Sequence, residues 1–236
     1  MASHPPALVP GDLAGVELFR GLSAAARAEI AGLARVQAVP RESTLFRQGA
    51  PAERCHVLLG GRVRITQTDA DGAQLLVRFV GPGEIFGTVA LFTDRHYPAD
   101  AVSVLDSLEA SWPEPVIRAL MVRHPGIALN LVTILGERLR EIQERLRETG
   151  TRRVERRVAQ SLLRLARRAG AAEDAASTIP FPLTRKDVAE MCGTTLYTVS
   201  RILTAWEAAE LITTERQRVT LRDPAALRRL AAEPPG

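Results

Sequence analysis

Apolar and polar residues alternate over short stretches in the first half of the chain. Arg62–Gln67 alternates as a half-buried strand does, and Asp69–Gly72 is a hairpin-turn signal because aspartate and glycine tolerate positive φ. We therefore expect Gln74–Val80 to return as the partner strand. Several such strands at regular spacing within residues 36–112 predict a sandwich or roll. Ahead of them, Ser23 is placed to cap a short helix.

One long amphipathic helix is predicted from residue 124 to residue 149. Its apolar residues recur at spacings of four, four, three and four, with charged side chains such as Glu137 and Arg138 between them. The sharp contrast favours a two-stranded coiled coil and hence a homodimer. Packing of the helix against its own domain is the alternative, which we expect for its N-terminal half. The predicted dimer residues are Leu131, Leu135, Leu139, Ile142 and Leu146.

Two short helices joined by a tight turn are predicted within Leu183–Leu203. Thr184 is positioned as an N-cap, Gly193 ends the first helix, and Thr194 or Thr195 caps the second. This layout is typical of a helix-turn-helix that places its second helix in the DNA major groove. An ordinary helical hairpin with a solvated outer face is the alternative. The second helix would bury Val199, Ile202, Leu203 and Trp206 and expose Leu196, Tyr197, Ser200, Arg201 and Thr204.

The segment that follows, Leu211–Leu221, has apolar ends and a polar, basic middle, which predicts a β-hairpin wing. Arg216 and Arg218 near its tip would contact phosphates. Residues 150–236 hold 15 Lys and Arg against 10 Asp and Glu, whereas residues 1–149 hold 16 against 17. Positive charge concentrated in one domain favours nucleic acid as the partner.

The helix-turn-helix segment, together with the glycine-punctuated segments Val57–Ile65, Asp71–Gly72 and Gly81–Gly87, resembles the Crp/Fnr family of bacterial transcription regulators. The resemblance covers nearly the whole chain and implies an α+β fold. A leader at 1–16 would precede a double-stranded β-helix (jelly-roll) sensor at 17–123, similar to cyclic-nucleotide-binding domains. A dimerisation helix at 124–149 and a winged helix-turn-helix at 150–236 would follow.

By this resemblance, the partners are double-stranded DNA, a second copy of the chain and RNA polymerase. A signal at the sensor would control binding to a palindromic site, with activation or repression left open. A dimeric, ligand-binding adaptor without DNA binding is the alternative of another class. The residues expected to contact DNA are Thr184, Thr195, Leu196, Tyr197, Thr198, Ser200, Arg201, Arg216 and Arg218.

The effector expected at the sensor is of unknown identity. Cyclic-nucleotide-binding relatives use a glutamate where Thr88 stands, and an arginine and a hydroxyl where Pro98 and Ala99 stand. A buried phosphate without its arginine is expensive to desolvate, so a cyclic nucleotide is disfavoured. Arg95 is the only basic residue nearby. The residues expected to line the effector pocket are Gly87, Thr88, Arg95, His96, Tyr97 and Ala99.

The number of cysteines and histidines bears on the other cofactors that this fold could hold. Two cysteines, Cys55 and Cys192, disfavour an iron–sulfur cluster, although a thiol switch at Cys192 stays open. Haem is possible, because Gly193–Arg201 resembles the recognition segment of a nitric-oxide-responsive branch of the family. The candidate iron ligands are His4, His56, His96 and His124, of which His96 lies beside the expected pocket.

Enzymatic activity and membrane insertion are not expected. Cupin metal enzymes, whose barrel resembles the predicted roll, need clustered histidines, and residues 54–92 contain His56 alone. No apolar run approaches the roughly 20 residues of a membrane-spanning helix. The expected location is the cytoplasm.

Overall fold

The computed structural model describes residues 8–151, 154–170, 172 and 175–232, with side chains left out between 144 and 153. The chain forms two compact units. The first contains the residues up to Ala73 together with Val77–Arg140, and the second contains Gln74–Leu76 and the residues from Glu141 onward.

The first unit is an antiparallel β-roll, as the alternating pattern predicts. One sheet has the strand order β1-β8-β3-β6 and the other β2-β7-β4-β5. Asp69–Gly72 forms the turn between β4 and β5, and Gly72 takes the positive φ that the turn needs, 81°. The strands are β1 (Arg35–Val39), β2 (Thr44–Phe46), β3 (Arg54–Gly60), β4 (Val63–Thr68), β5 (Gln74–Val80), β6 (Ile85–Phe86), β7 (Asp100–Ser103) and β8 (Ser107–Pro113).

The α-helices that accompany the roll in the described part of the chain are α1 (Ala24–Gly32), α2 (Glu114–Arg123) and α3 (Gly126–Thr151). Ser23 caps α1 as predicted, because its hydroxyl accepts a hydrogen bond from the Ala26 N–H. The main core gathers around Trp112, which is fully buried and donates a hydrogen bond to the Ile30 carbonyl.

The predicted loose leader is wrong for the described residues that precede the roll. Leu13 and Val16 are buried in the main core, because both contribute apolar side chains to the cluster around Trp112.

Among its described residues, the second unit carries the end of α3, further α-helices and a three-stranded sheet of order β10-β11-β9. Its elements are α4 (Val154–Arg168), β9 (Ser177–Thr178), α5 (Arg185–Cys192), α6 (Leu196–Ala208), β10 (Ile212–Glu215), β11 (Arg218–Leu221) and α7 (Pro224–Ala232). Within the described residues, no single helix is long and apolar enough to cross a membrane. One pair of consecutive helices in the same residues has the required length and apolar composition when taken together, but it is bent by 111° between Glu114–Arg123 and Gly126–Gln143.

Candidate nucleic-acid interface and sensor pocket

The first helix of the pair, α5, begins with a reciprocal cap. The Thr184 hydroxyl accepts a hydrogen bond from the Asp187 N–H at 3.1 Å, and the Asp187 carboxylate accepts one from the Thr184 N–H at 2.9 Å. These two bonds satisfy N–H groups that a helix start otherwise leaves without partners. Gly193 ends the helix in the left-handed conformation, at φ 56° and ψ 51°. Short polar and glycine signals thus determine the tight turn that the sequence predicted.

The second helix, α6, is capped by Thr195, whose hydroxyl accepts a hydrogen bond from the Thr198 N–H at 3.2 Å. Val199, Leu203 and Trp206 are buried, as their helical spacing predicts, whereas Ile202 is half-buried. The opposite side of α6 faces solvent. There, 52% of Leu196 and 71% of Tyr197 are exposed.

Farther along α6, Arg201 is also exposed, and its guanidinium carbon lies 5.9 Å from the centroid of the Tyr197 ring. Ser200 and Thr198 are half-buried on the same helix. The structure therefore leaves an apolar first turn and one arginine on the outer side of α6.

The wing is the hairpin β10–β11. Arg216 and Gln217 form its turn with φ angles of 48° and 64°, the double left-handed geometry of a tight two-residue hairpin. Arg216 and Arg218 are exposed, whereas Val219 is buried and anchors the hairpin. The Leu183 N–H donates a hydrogen bond to the Gln217 carbonyl at 2.6 Å, which joins the wing to the start of the helix pair.

Two arginines for which the sequence predicts no role make structural contacts in this unit. Arg157 donates a hydrogen bond to the Cys192 carbonyl at 3.1 Å, a contact that suits the negative end of the α5 dipole. Arg185 lies 3.3 Å from both the Thr204 hydroxyl and the Glu207 carboxylate. Thr204, expected to point outward, is exposed but already has this partner.

The expected pocket residues separate into two groups. Thr88, Tyr97 and Ala99 are buried in the roll, beside Gly87. Arg95 and His96 are exposed. Their expected place in the pocket is wrong, because Arg95 lies 3.9 Å from the Glu114 carboxylate and His96 Nδ1 lies 2.8 Å from the Asp94 carbonyl.

Four rings occupy the interior beside Gly87, and we call Phe46, His56, Phe86 and Tyr97 the aromatic cluster. The Phe46 and Tyr97 rings stack at 3.8 Å with an interplanar angle of 10°, and His56 stacks on Phe86 at 5.2 Å. A Cβ atom at Gly87 would lie 3.0 Å from Tyr97 Cε1 and 3.1 Å from both His56 Cδ2 and Phe46 Cε1. The cluster therefore fills the space beside Gly87.

His56, which the sequence presents as an isolated histidine, is buried with polar partners on both ring nitrogens. Nδ1 donates to the Glu109 carboxylate at 2.7 Å, and Nε2 lies 3.1 Å from the Tyr97 hydroxyl. Glu109 is itself buried. No sequence motif marks this triad, because its members are separated by 41 and 53 positions.

The Thr88 hydroxyl lies 3.2 Å from the Cys55 sulfur and 3.3 Å from the Phe86 carbonyl. Burial raises the pKa of the Cys55 thiol to about 11, so the thiol stays protonated and unreactive at neutral pH. Burial also raises the pKa of Tyr97. Thr88 thus bonds to neighbouring protein groups at the place where nucleotide-binding relatives have a glutamate.

The strand next to the aromatic cluster is tied to the long helix. Arg138 on α3 donates a hydrogen bond to the Ile85 carbonyl at 2.8 Å and forms an ion pair with Glu17 at 3.2 Å. The Glu17 carboxylate in turn accepts a hydrogen bond from the Ile85 N–H at 2.9 Å. A shift of β6 would therefore disturb the hydrogen bond between the Ile85 carbonyl and Arg138 of α3.

The predicted dimer stripe on α3 divides at its middle. Leu131 is buried in the main core of its own unit, only 8% exposed, so the expectation that it forms a dimer contact is wrong, whereas Leu135 packs against the same core but is half-buried. Leu139 and Ile142 are exposed, and the Leu146 side chain lies outside the described residues. The physical reason is that the first half of α3 covers the roll, as the alternative interpretation expected. The remaining exposed apolar residues of the helix are Leu129 and Val132.

Comparisons with known proteins agree with both units. The family model of the cyclic nucleotide-binding domain matches residues 36–124, and that of the Crp-like helix-turn-helix domain matches residues 156–230. The nitrogen fixation regulation protein FixK of Azorhizobium caulinodans is 32% identical over 220 residues, which are 91% of this chain and 88% of FixK.

A CRP-like cAMP-activated global transcriptional regulator of Mycobacterium tuberculosis is 28% identical over 219 residues, covering 93% of this chain and 98% of the relative. The solved structure of FixK2 from Bradyrhizobium japonicum shares the fold with a TM-score of 0.74 at 22% identity, covering 86% of this chain and 99% of FixK2. With its antiparallel roll, its capped helix pair and its basic wing, this chain belongs to the Crp/Fnr family of DNA-binding transcription regulators.

Proposed function

We propose that this regulator binds a palindromic DNA site as a homodimer, with α6 in the major groove, and that cyclic nucleotides do not control it. The observation that carries the proposal is the outer side of α6. The helix is capped at its N-terminus, its outer side is exposed to solvent, and the wing carries the exposed arginines Arg216 and Arg218. Such a helix presents its first turn and Arg201 to base edges, while the wing contacts phosphates.

The exposed apolar residues of α3 support the homodimer. Leu129, Val132, Leu139 and Ile142 expose between half and about two-thirds of their surfaces. A second copy of the same helix would cover these side chains, since i and i+3 or i+4 positions share one side of a helix. Two-fold symmetry would then set the two recognition helices one DNA turn apart.

The sensor supports control by something other than a cyclic nucleotide. The aromatic cluster fills the space beside Gly87, and the Thr88 hydroxyl forms a hydrogen bond with the Cys55 sulfur. Neither Pro98 nor Ala99 can neutralise a phosphate. The relative from Mycobacterium tuberculosis is named as cAMP-activated. We propose that this chain differs from it in that respect.

The haem alternative finds no support in the described histidines. His56, His96 and His124 each have a polar partner within 2.9 Å, and His4 lies outside the described residues. The proposal also includes a contact with RNA polymerase in the cytoplasm and a sensor effector other than a cyclic nucleotide.

The test is selection of DNA from a randomised library by the purified chain, followed by sedimentation of the complex. We expect a palindromic consensus bound by two copies, with affinity unchanged by cyclic AMP. The Leu139→Asp variant should sediment as a monomer and lose its preference for a palindromic site, because the substitution buries a charge in the proposed interface. Val122→Asp is the matched control, because Val122 is an exposed apolar residue on α2, outside the proposed interface. A monomeric wild type, or a cyclic AMP response, would contradict the proposal.

A further inference from the structure

The first turn of α6 places two large apolar side chains in solvent. Leu196 and Tyr197 are 52% and 71% exposed, although Val199 and Leu203 on the same helix are buried. The N-terminal residues of a recognition helix are those that contact base edges. Leu196 and Tyr197 are therefore the first side chains that would meet the floor of the major groove. This step depends on the proposed function, in which α6 occupies that groove.

We infer that Leu196 and Tyr197 recognise thymine through its C5-methyl group. The methyl is the one apolar group that the base pairs present in the major groove. A leucine side chain has no hydrogen-bonding atom, so it gains from a base edge only where such a methyl lies opposite. Tyr197 adds an apolar ring and a hydroxyl, but no carboxylate that could accept a hydrogen bond from the cytosine amino group.

Arg201 completes the recognition surface. Among the described residues it forms no ion pair, whereas Arg185, near the start of α5, is paired with Glu207. The Tyr197 ring centroid lies 5.9 Å from the Arg201 guanidinium carbon, within the range of a cation–π contact. The guanidinium fork is suited to the two acceptors of guanine.

The spacing on the helix converts into spacing on DNA. Tyr197 and Arg201 are four positions apart, which corresponds to a rise of about 6 Å along α6. Successive base pairs are about 3.4 Å apart, so the two side chains reach base pairs about two steps apart. Each half-site should therefore contain a thymine whose methyl contacts Leu196 or Tyr197, and a guanine about two base pairs away.

Replacement of thymine by deoxyuridine tests this inference, because it removes the methyl and keeps every hydrogen-bonding group. Each thymine of the selected site is replaced in turn, and affinity is measured by fluorescence anisotropy. At the contacted thymine we expect about fourfold weaker binding per half-site, the value of one buried methyl group. At the other thymines affinity should stay unchanged.

Two variants assign the effect to side chains. Leu196→Ala combined with Tyr197→Ala should weaken binding to the thymine site and abolish the difference between thymine and deoxyuridine. Tyr197→Phe keeps the ring and should keep that difference, so it is the matched control. Both substituted positions are solvent-exposed, and circular dichroism should show unchanged folding.

The outcomes separate the two hypotheses. If the chain selects a DNA site but deoxyuridine at every thymine leaves affinity unchanged, the inference about the methyl group is wrong and the proposed DNA binding stands. If deoxyuridine weakens binding equally in the wild type and in the double alanine variant, Leu196 and Tyr197 are not the readers. If no DNA is selected, the proposed function fails and this inference fails with it.

Discussion

Adding one methyl group at Gly87 tests directly whether protein side chains fill the sensor pocket. In the structure Gly87 has φ 67°, a conformation that costs an L-residue about 1–2 kcal/mol. The added Cβ of Gly87→Ala would also lie 3.0–3.1 Å from ring atoms of Tyr97, His56 and Phe46. Because these rings stack on one another, none can turn aside alone. Overpacking of this kind costs about 1–3 kcal/mol more, so we expect a loss of about 2–5 kcal/mol in total.

Gly72→Ala is the matched control for the conformational part of that cost. Gly72 has φ 81°, but a Cβ there would meet nothing within 4 Å. We expect this variant to lose only about 1–2 kcal/mol. The difference between the two variants isolates the steric part, which depends on the rings being in place.

The assay is urea unfolding followed by the fluorescence of Trp112, which is fully buried in the roll. A Trp206→Phe background removes the other tryptophan, which lies in the second unit, so that the signal reports on the roll alone. If Gly87→Ala costs no more than Gly72→Ala, the space beside Gly87 is open, and the reasoning that excludes a cyclic nucleotide on steric grounds is refuted.

The remaining predictions concern the interface and titratable groups. Arg201→Ala should weaken binding to the selected site by about 1–3 kcal/mol, whereas Arg218→Ala should weaken specific and random DNA alike; equal losses from both would contradict the division. Cys55 should resist alkylation at pH 8 in the folded protein and react after unfolding, because burial raises its pKa to about 11; rapid native labelling would show an open pocket. The hydrogen bond from His124 holds the pKa of Glu29 below its ordinary value of 4.5. The stability that this carboxylate contributes is therefore present above pH 4.5 and lost as pH falls below it, and a Glu29→Gln variant should show a flatter acid limb in unfolding experiments.

Much of the DNA-binding surface was predictable from the sequence because its signals are local. Thr184 and Thr195 cap their helices through hydrogen bonds to residues three positions away, and Gly193 adopts the left-handed conformation that its lack of a Cβ permits. The helical period then assigns Val199 to the core and Tyr197 to solvent. No distant residue is needed for any of these inferences.

The sensor was predicted less well because its decisive contacts join distant parts of the chain. Thr88 is expected in the pocket because it follows a glycine turn, and it is buried in the roll. His96 was placed there only because it neighbours Tyr97 in sequence, yet adjacent residues of an extended chain point to opposite sides. Tyr97 enters the roll, and His96 faces solvent.

The order of elements, the family, the capped helix pair and the lack of a phosphate-binding arginine at Pro98 follow from the sequence alone. The packing of the folded chain establishes which apolar residues of α3 are exposed, and it brings His56, Glu109 and Tyr97 together in the interior. The reason is physical: hydrogen-bond caps and helical period act over three or four residues, whereas burial depends on which surface the rest of the chain brings to cover a side chain.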